Sequence, residues 1–395
     1  MNHLHESVSC EKCGYSNSHP FGLTFEHNIC SGCITHEEKD NLNWSLRLEY
    51  LREKLNKIKK YNKSYDCVVP VIGDAEDYYL IEKVLELELS PLVVFVNDYF
   101  KNDIGWHNIH NLITYYDVDS ITYNPNMSSY KELVRTSLRK FNHILLPFIQ
   151  LHTSFPVHVA LKKKIPLIIW PQNQSIEQVG KFSHLDAVEM TKWYRMEHDL
   201  FNVNVETLVG NGAQINTNHL EFYNYPNINK LTKVGVFGVY LSNFFRWDPY
   251  RQNKNAIDNG YVCEINPSSY DMYERAGSSV YYKLHDILKQ QRCGYRKLHD
   301  HIARDLRHGH ISSCVANTLR ENINKTKVHI KPFFDWLSVT NSGYKWFLEK
   351  RLSNEKKFIA ESSSSEIYLD IPAEVLELPD AKHPEQLFIT FGKGV

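Results

Sequence analysis

Residues 65–77 read YDCVVPVIGDAED: an apolar run from Tyr65 to Ile72 breaks at Gly73 and gives way at once to carboxylates. A run this short, bounded by glycine, predicts a buried strand, and Tyr78–Leu89 behind it carries helical spacing. The alternation repeats outward. Pro91–Val96 (PLVVFV) predicts a second buried strand leaving through Asn97-Asp98, and a helical stretch near Trp106–Tyr116 leads to a third strand at Ser120–Tyr123. His158–Lys164 predicts a helix and Ile165–Trp170 (IPLIIW) a further strand. Short apolar strands alternating with helices predict an α/β fold, a parallel sheet with helices on both faces. Ligands of such sheets sit beyond the carboxyl ends of the strands. That rule marks Gly73–Asp77, Asn97–Asp103 and Pro171–Glu177 as the rim of one pocket.

Upstream, Cys10-x-x-Cys13 and Cys30-x-x-Cys33 stand 16 residues apart. Each pair lets two thiolates converge on one ion, and two pairs complete a tetrahedral shell, so the spacing predicts a zinc site. Four thiolates leave no open coordination position, which makes the metal structural. Cys67, Cys263, Cys293 and Cys314 are isolated and read as ordinary thiols. Residues 41–62 predict an amphipathic helix, with Trp44, Leu48, Leu51, Leu55 and Ile58 on one face and a solvated basic end at Lys57–Lys60.

Beyond about residue 215 helical patterns dominate, at Tyr281–Lys289, Tyr295–Arg307, Phe333–Leu337 and Tyr344–Leu352. The expected organisation is a four-cysteine module over 1–40, an α/β domain over 41–215, a mainly helical domain over 216–360, and a strand-prone tail over 361–395 that opens on Ser362–Ser365. Hydrophobic residues are 42% and charged residues 23% of 395, a globular composition. The 45 Lys and Arg nearly balance the 46 Asp and Glu, which argues against a general nucleic-acid binder. No apolar run approaches the ~20 residues of a membrane span. The polar start, Met1 to Cys10, carries no apolar leader, so a cytoplasmic location is expected.

Six stretches in order resemble the bacterial N-acetyl sugar amidotransferases of surface-polysaccharide biosynthesis, a branch of the PP-loop ATP pyrophosphatases. They are GLTFEHNICSGC, YDCVVPVIG, NDYFKNDIGWHNIHNLI, SFPVHVALKKKIPLIIWPQN, FFRWDPYRQNKNAIDNGY and CGYRKLHDHIARDLRHGHIS, and with the cysteine pairs and the C-terminal helical patterns the resemblance covers roughly residues 10–352. The resemblance implies a zinc module, a PP-loop-like α/β domain and a helical C-terminal region. It implies ATP and Mg²⁺ as cofactors and adenylation of the acetamido oxygen of a nucleotide-linked sugar, with ammonia then displacing AMP to leave an acetamidino group. It also implies partners, a glutaminase subunit and a cyclase-like subunit that channels ammonia; no glutaminase module is recognisable in this chain.

The family's pyrophosphate loop reads Ser-Gly-Gly-Lys-Asp-Ser, and residues 72–77 here read Ile-Gly-Asp-Ala-Glu-Asp. Glycines in such a loop let backbone N–H groups close on phosphate oxygens. Gly73 is kept, but Asp74, Glu76 and Asp77 would repel a triphosphate unless a metal intervened. Two unit charges ~4 Å apart cost about 1 kcal/mol in water and more when shielded from it. Gly73, Asp74, Glu76 and Asn97 are the candidate nucleotide contacts, and Asp77 is the candidate catalytic residue, as a Mg²⁺ ligand. Lys101, His107 and Asn108 fall at a strand exit and helix start, where an anion is favourably held. His107 also reads as a plain surface residue. Pro171-Gln172-Asn173 stands where the family has a Gly-Glu-Asn signature, and Asn173 with nearby Glu177 reads equally as a sugar or adenylate contact or as a strand-end cap. Arg304 is a candidate phosphate contact, against the plainer expectation of an ion pair with Asp300 four residues earlier. Trp247 and Tyr250 read as packing residues. His299/His301 and His308/His310 read as helical pairs and therefore as poor chelators, because alternate residues on a helix face different ways. Three readings stay open: an active ATP-dependent amidotransferase with a rebuilt loop, a non-catalytic relative that binds a sugar nucleotide or a partner, and an RNA-modifying PP-loop protein, a reading that lacks a basic surface signal and a catalytic cysteine pair beyond the zinc site.

Overall fold

The computed structural model describes residues 8–59, 64–186, 192–200, 202–209, 215–264, 269–274, 276–277, 281–353 and 366–376. Residues 60–62 of the expected amphipathic helix, Ser362–Ser365 and most of the tail lie outside them. A small antiparallel hairpin, β1 (Phe25–Glu26) and β2 (Ile29–Cys30), opens the described fold. The expected parallel sheet follows. Its strands are β3 (Cys67–Val71), β4 (Pro91–Val96), β5 (Asp119–Tyr123), β6 (Leu167–Trp170) and β7 (Phe237–Tyr240), in the order β5-β4-β3-β6-β7 with every pairing parallel.

The unbroken apolar runs of β3, β4 and β6 are explained by burial on both faces. On one face Val68, Val94, Val96, Ile168 and Trp170 pack against α5 (Met127–Phe141) and α6 (Leu146–Lys163) through Leu133, Leu151 and Phe155. On the other, Val69, Val71, Val93, Phe95 and Ile169 meet α3 (Ala75–Glu86) and α4 (Asp103–Tyr115) through Ile81, Val84, Ile109 and Leu112. Helix α2 (Trp44–Lys59) adds Leu51 and Leu55 to this second face. Each such side chain, fully buried, contributes about 1.5–3 kcal/mol. A charge placed at Val69 would therefore break both the packing and the sheet.

Two expectations change. The fifth strand, β7, comes from the region expected to be mainly helical, so the sheet domain does not end at 215. Its four residues are too few to register as a period. Helix α6 begins at Leu146, twelve residues before the expected start, because an all-round apolar helix inside a core shows no amphipathic stripe. Beyond the sheet, helices over Tyr282–Cys293, Lys297–His308, Ser313–Asn322, Lys331–Trp336 and Asn341–Arg351 form the helical region. Residues 366–376 dock on it: Ile367 bridges Lys327, and Leu369, Ile371 and Val375 pack beside Leu298, Leu319 and Ile323. Among the described residues no helix is long and apolar enough to cross a membrane.

Candidate functional site

The chain runs from β3 outward to β4 and β5 on one side, and from β6 to β7 on the other. The switch point therefore falls between β3 and β6. Their ladder covers only Cys67–Leu167 and Val68–Ile168, whereas β3 stays paired with β4 through Val71. Pro70 has no N–H to give a ladder and stands where the two strands part. A cleft of about 590 Å³ opens there, with Pro70, Ile72 and Trp170 in its wall. This is the size and position expected of a ligand site.

One side of the cleft is the acidic loop. Gly73 takes a left-handed φ of +90°, and a Cβ on it would crowd Ile109 at 3.3 Å. The turn it makes gathers the backbone N–H groups of Ile72, Gly73 and Asp74 onto one oxygen, Oδ2 of Asp77, at 2.8, 2.8 and 3.0 Å. Three amides converging at the start of a helix form a cradle for an anion. Here the chain's own carboxylate fills it. Burial pushes the Asp77 carboxyl up to about 6, held back by those three amides and by the nearby Lys101 ammonium. Glu76 is pushed well above the usual carboxylate range by burial and by the charges of Glu274, Asp77 and Asp74, and it accepts a hydrogen bond from Trp247 Nε1 at 3.2 Å. A triphosphate does not fit this loop as it is folded, because its donors are taken and its neighbours are acidic.

Asp74, Glu76, Asp77, Glu177 and Arg304 all line the cleft. The other predicted residues do not reach its wall. Asn97 joins strand ends, donating to Asn124 Oδ1 (2.8 Å) and accepting from Tyr99 N (2.9 Å). Lys101 is buried under the loop, 3.8 Å from Asp98 and over the Phe95 ring. His107 meets the Gly260 carbonyl at 3.2 Å, and the Asn108 carboxamide both donates to and accepts from the Val262 backbone at 2.9 Å. These two pin the 260–262 segment to α4. Asn173, fully buried, stands at the N-cap position of the short helix α7 (Gln174–Glu177) without a side-chain capping bond, and its Oδ1 accepts from Ser175 Oγ at 3.1 Å.

The expected Asp300–Arg304 pair gives way to better partners. Asp300 accepts from Tyr15 Oη at 2.8 Å and pairs with Lys289, while Arg304 binds Asp305 at 2.7 Å and Asp271 at 2.9 Å. Trp247 is fully buried, as a packing residue should be.

The four N-terminal cysteines do converge. Cys10 and Cys33 sulfurs lie 3.7 Å apart, Cys13 and Cys30 sulfurs 3.6 Å, and all four fall within 4.8 Å of one another. Tetrahedral Zn–S bonds of ~2.3 Å would set sulfurs about 3.8 Å apart, so the residues fit a structural zinc ion. The fit has a counterion that the spacing did not announce. Arg307 places Nε 3.4 Å from Cys33 Sγ and Nη2 3.6 Å from both Cys13 and Cys30 Sγ. Its Nη1 donates to the carbonyls of Glu177 (3.1 Å) and Gln178 (2.8 Å), so one guanidinium ties the cysteine cluster to α7 and the cleft.

Helix α1 (Ser31–Glu38) lies against α7. A Cβ on Gly32 would meet Arg307 Nη2 at 2.5 Å, and one on Gly180 would collide with the Ser31 carbonyl. Just past α1, the fully buried Lys39 pairs with Glu177 and donates to the Trp247 carbonyl at 3.2 Å.

The histidine pair at 308 and 310 also departs from expectation. His308 ends its helix, Gly309 turns left-handed (φ +70°), and His310 folds back, so the rings stack 5.4 Å apart instead of diverging. Both face Asp248: His310 Nε2 lies 3.0 Å from Oδ1 and His308 Nδ1 3.6 Å from Oδ2. A second cluster sets His301 against Glu274 at 2.6 Å with Asp271 beside it. At the far end of the cleft the Arg195 guanidinium sits 4.0 Å over the Trp170 ring and pairs with Asp199 at 2.7 Å. No motif flags Arg195: Asp199, four residues on, is an ordinary local pair, and the Trp170 ring is brought to it only by the fold.

No family model matches this chain, and no curated protein matches it. Among solved structures, one similar chain is the NMN synthetase from Francisella tularensis, at 11% identity over 49% of this chain and 93% of that one, with a TM-score of 0.28. Another is the NH3-dependent NAD synthetase from Campylobacter jejuni subsp. jejuni NCTC 11168, at 14% identity over 57% of this chain and 100% of that one, with a TM-score of 0.27. Likeness at that level decides neither family nor activity.

Proposed function

We propose that this chain is a PP-loop-type relative of the N-acetyl sugar amidotransferases that binds a nucleotide-linked acetamido sugar in the switch-point cleft without cleaving ATP at the 72–77 loop. The single observation that carries the reading is the Asp77 carboxylate seated on the amides of Ile72, Gly73 and Asp74. An internal anion with three backbone hydrogen bonds competes directly with an incoming phosphate. Displacing it would strand a buried carboxylate among Asp74 and Glu76. The cleft itself is open, about 590 Å³, and offers Trp170, Tyr240 and Arg195 to a base or sugar. In this reading the glutaminase and ammonia-channelling subunits are the natural partners of the family's active members, and this chain occupies a binding role beside such an assembly.

The test is calorimetric titration with a panel of nucleotide-linked acetamido sugars, paired with an assay for AMP release in Mg-ATP and saturating ammonia. Saturable sugar-nucleotide binding with no AMP release is expected. AMP release that depends on the sugar would overturn the proposal, as would failure of every sugar nucleotide to bind.

One observation favours the second reading, an active amidotransferase with a rebuilt loop. Lys101 brings a buried ammonium close enough to act on Asp77, near the loop whose own lysine position holds Ala75. That reading predicts ammonia-dependent AMP release that is lost in Lys101→Met.

A further inference from the structure

We propose that Asp248, His308 and His310 form a second metal site on this chain, a two-histidine, one-carboxylate set for a divalent transition-metal ion of the zinc class with one coordination position left open. His308 Nδ1, His310 Nε2 and an Asp248 oxygen lie within 4.8 Å of one another, with His–Asp separations of 3.0 and 3.6 Å. Tetrahedral bonds of ~2.0–2.1 Å from an ion to nitrogen or oxygen place neighbouring donors about 3.3 Å apart, which falls between those two distances.

The set is held from three directions. Asp248 caps the Pro249–Lys254 helix, accepting from Arg251 N at 3.3 Å. Gly309 supplies the left-handed turn that brings two residues of one chain end onto the same carboxylate. The outer faces of the rings pack on neighbours, His308 against His36 at 4.4 Å and His310 against Tyr250 at 4.9 Å, which leaves their nitrogens toward Asp248.

The other histidine–carboxylate cluster shows why this one is the candidate. Glu274 and Asp271 beside His301 already carry Lys297 at 2.5 Å and Arg304 at 2.9 Å, so their charge is met by the protein itself. Among the described residues Asp248 pairs, besides the two histidines, only with Arg251 at 3.5 Å, and that side chain is 78% exposed. Three protein donors leave a fourth position for water or a ligand oxygen. His308 lines the cleft, so an ion here stands at its rim, where it would meet an oxygen of whatever the cleft holds. The three donors would hold their ion whether or not the cleft takes a sugar nucleotide.

The full chain, exchanged into cadmium, tests it by cadmium NMR, because all-sulfur and nitrogen–oxygen sites resonate far apart. The wild type is expected to show both kinds of resonance at saturating Cd²⁺. The His308→Ala/His310→Ala double variant should keep only the all-sulfur one, with metal content per chain falling by half. Asp248→Asn, which removes charge but little shape, should lose the second resonance or weaken its ion at least tenfold, and it serves if the double variant fails to fold. An all-sulfur resonance alone in the wild type would overturn the proposal. So would a second resonance that survives in a folded variant of both kinds, and the two histidines would then simply hydrogen-bond Asp248.

Discussion

The four-cysteine cluster and the 72–77 loop are both devices for holding an ion against backbone and side chain, and they are complete in opposite senses. The cysteines lie at tetrahedral separation with Arg307 as counterion, and the ion they suit must come from outside the chain. The loop has its amides, its glycine turn and its helix start, and its anion is already in place as Asp77. A site built from ligand types announces itself in spacing. A site built from backbone donors is decided by which side chain arrives first, and spacing does not report that. The difference yields measurable contrasts.

The largest effect falls on the cysteine side. Metal binding to such a module is folding free energy, on the order of 10 kcal/mol in isolated zinc modules. Cys30→Ser should abolish tight metal retention and lower the melting temperature more than either Arg307→Leu or Gly180→Ala. An unchanged melting curve would show that the cluster does not hold the module together. Arg307→Leu removes the cation facing three thiolates and two carbonyls. Losing one partner of a buried charged set costs about 3–5 kcal/mol, and chemical denaturation should show a loss of that order.

Gly180→Ala tests the seam between module and sheet domain. Its φ is +59° and a Cβ there collides with Ser31, so a loss of about 2 kcal/mol is expected, with the metal still bound.

The effect at the loop appears only across a pH window. The folded Asp77 carboxyl titrates near 6, above its ordinary 3.8, so between those values the folded chain holds a proton that the unfolded chain has released. Stability from this group is therefore greatest below about pH 4 and is lost as pH rises toward and past 6. Asp77→Asn should flatten that slope, by roughly 3 kcal/mol across the window, in urea denaturation at stepped pH. Parallel pH profiles for the wild type and the variant would mean that the carboxyl is not buried as described.

The same contrast explains what could be read from the chain. Strands β3, β4 and β6 were legible because burial on both faces makes them continuous apolar runs, and the C-x-x-C pairs because thiolate chelation demands adjacency. β7 was not, since four residues carry no period, and the first turns of α6 were masked by an apolar surface all round. At the site, the strand-end rule marked the stretches that hold Asp74, Glu76, Asp77 and Glu177, while Arg304 came from the family resemblance alone; all five line the cleft. Asn108, expected at a helix start to meet an anion, is spent on the Val262 backbone, because a carboxamide near an open backbone N–H and carbonyl bonds them first. Arg307 acts through partners at least 129 residues away in the chain, and Arg195 covers a Trp170 ring that only the fold brings to it. The His308–His310 pair was misread by treating both residues as helical, although Gly309 between them is itself a helix-end signal.

Whether Asp77 occupies the place a phosphate would take is decided by titrating Mg-ATP and pyrophosphate calorimetrically into the wild type and Asp77→Ser at neutral pH. No saturable binding to the wild type is expected, and a gain of at least tenfold in affinity when the carboxylate is removed. Tight Mg-ATP binding to the wild type, competed by pyrophosphate and unchanged in Asp77→Ser, would show that the cradle is free and that the carboxylate does not stand in for a phosphate.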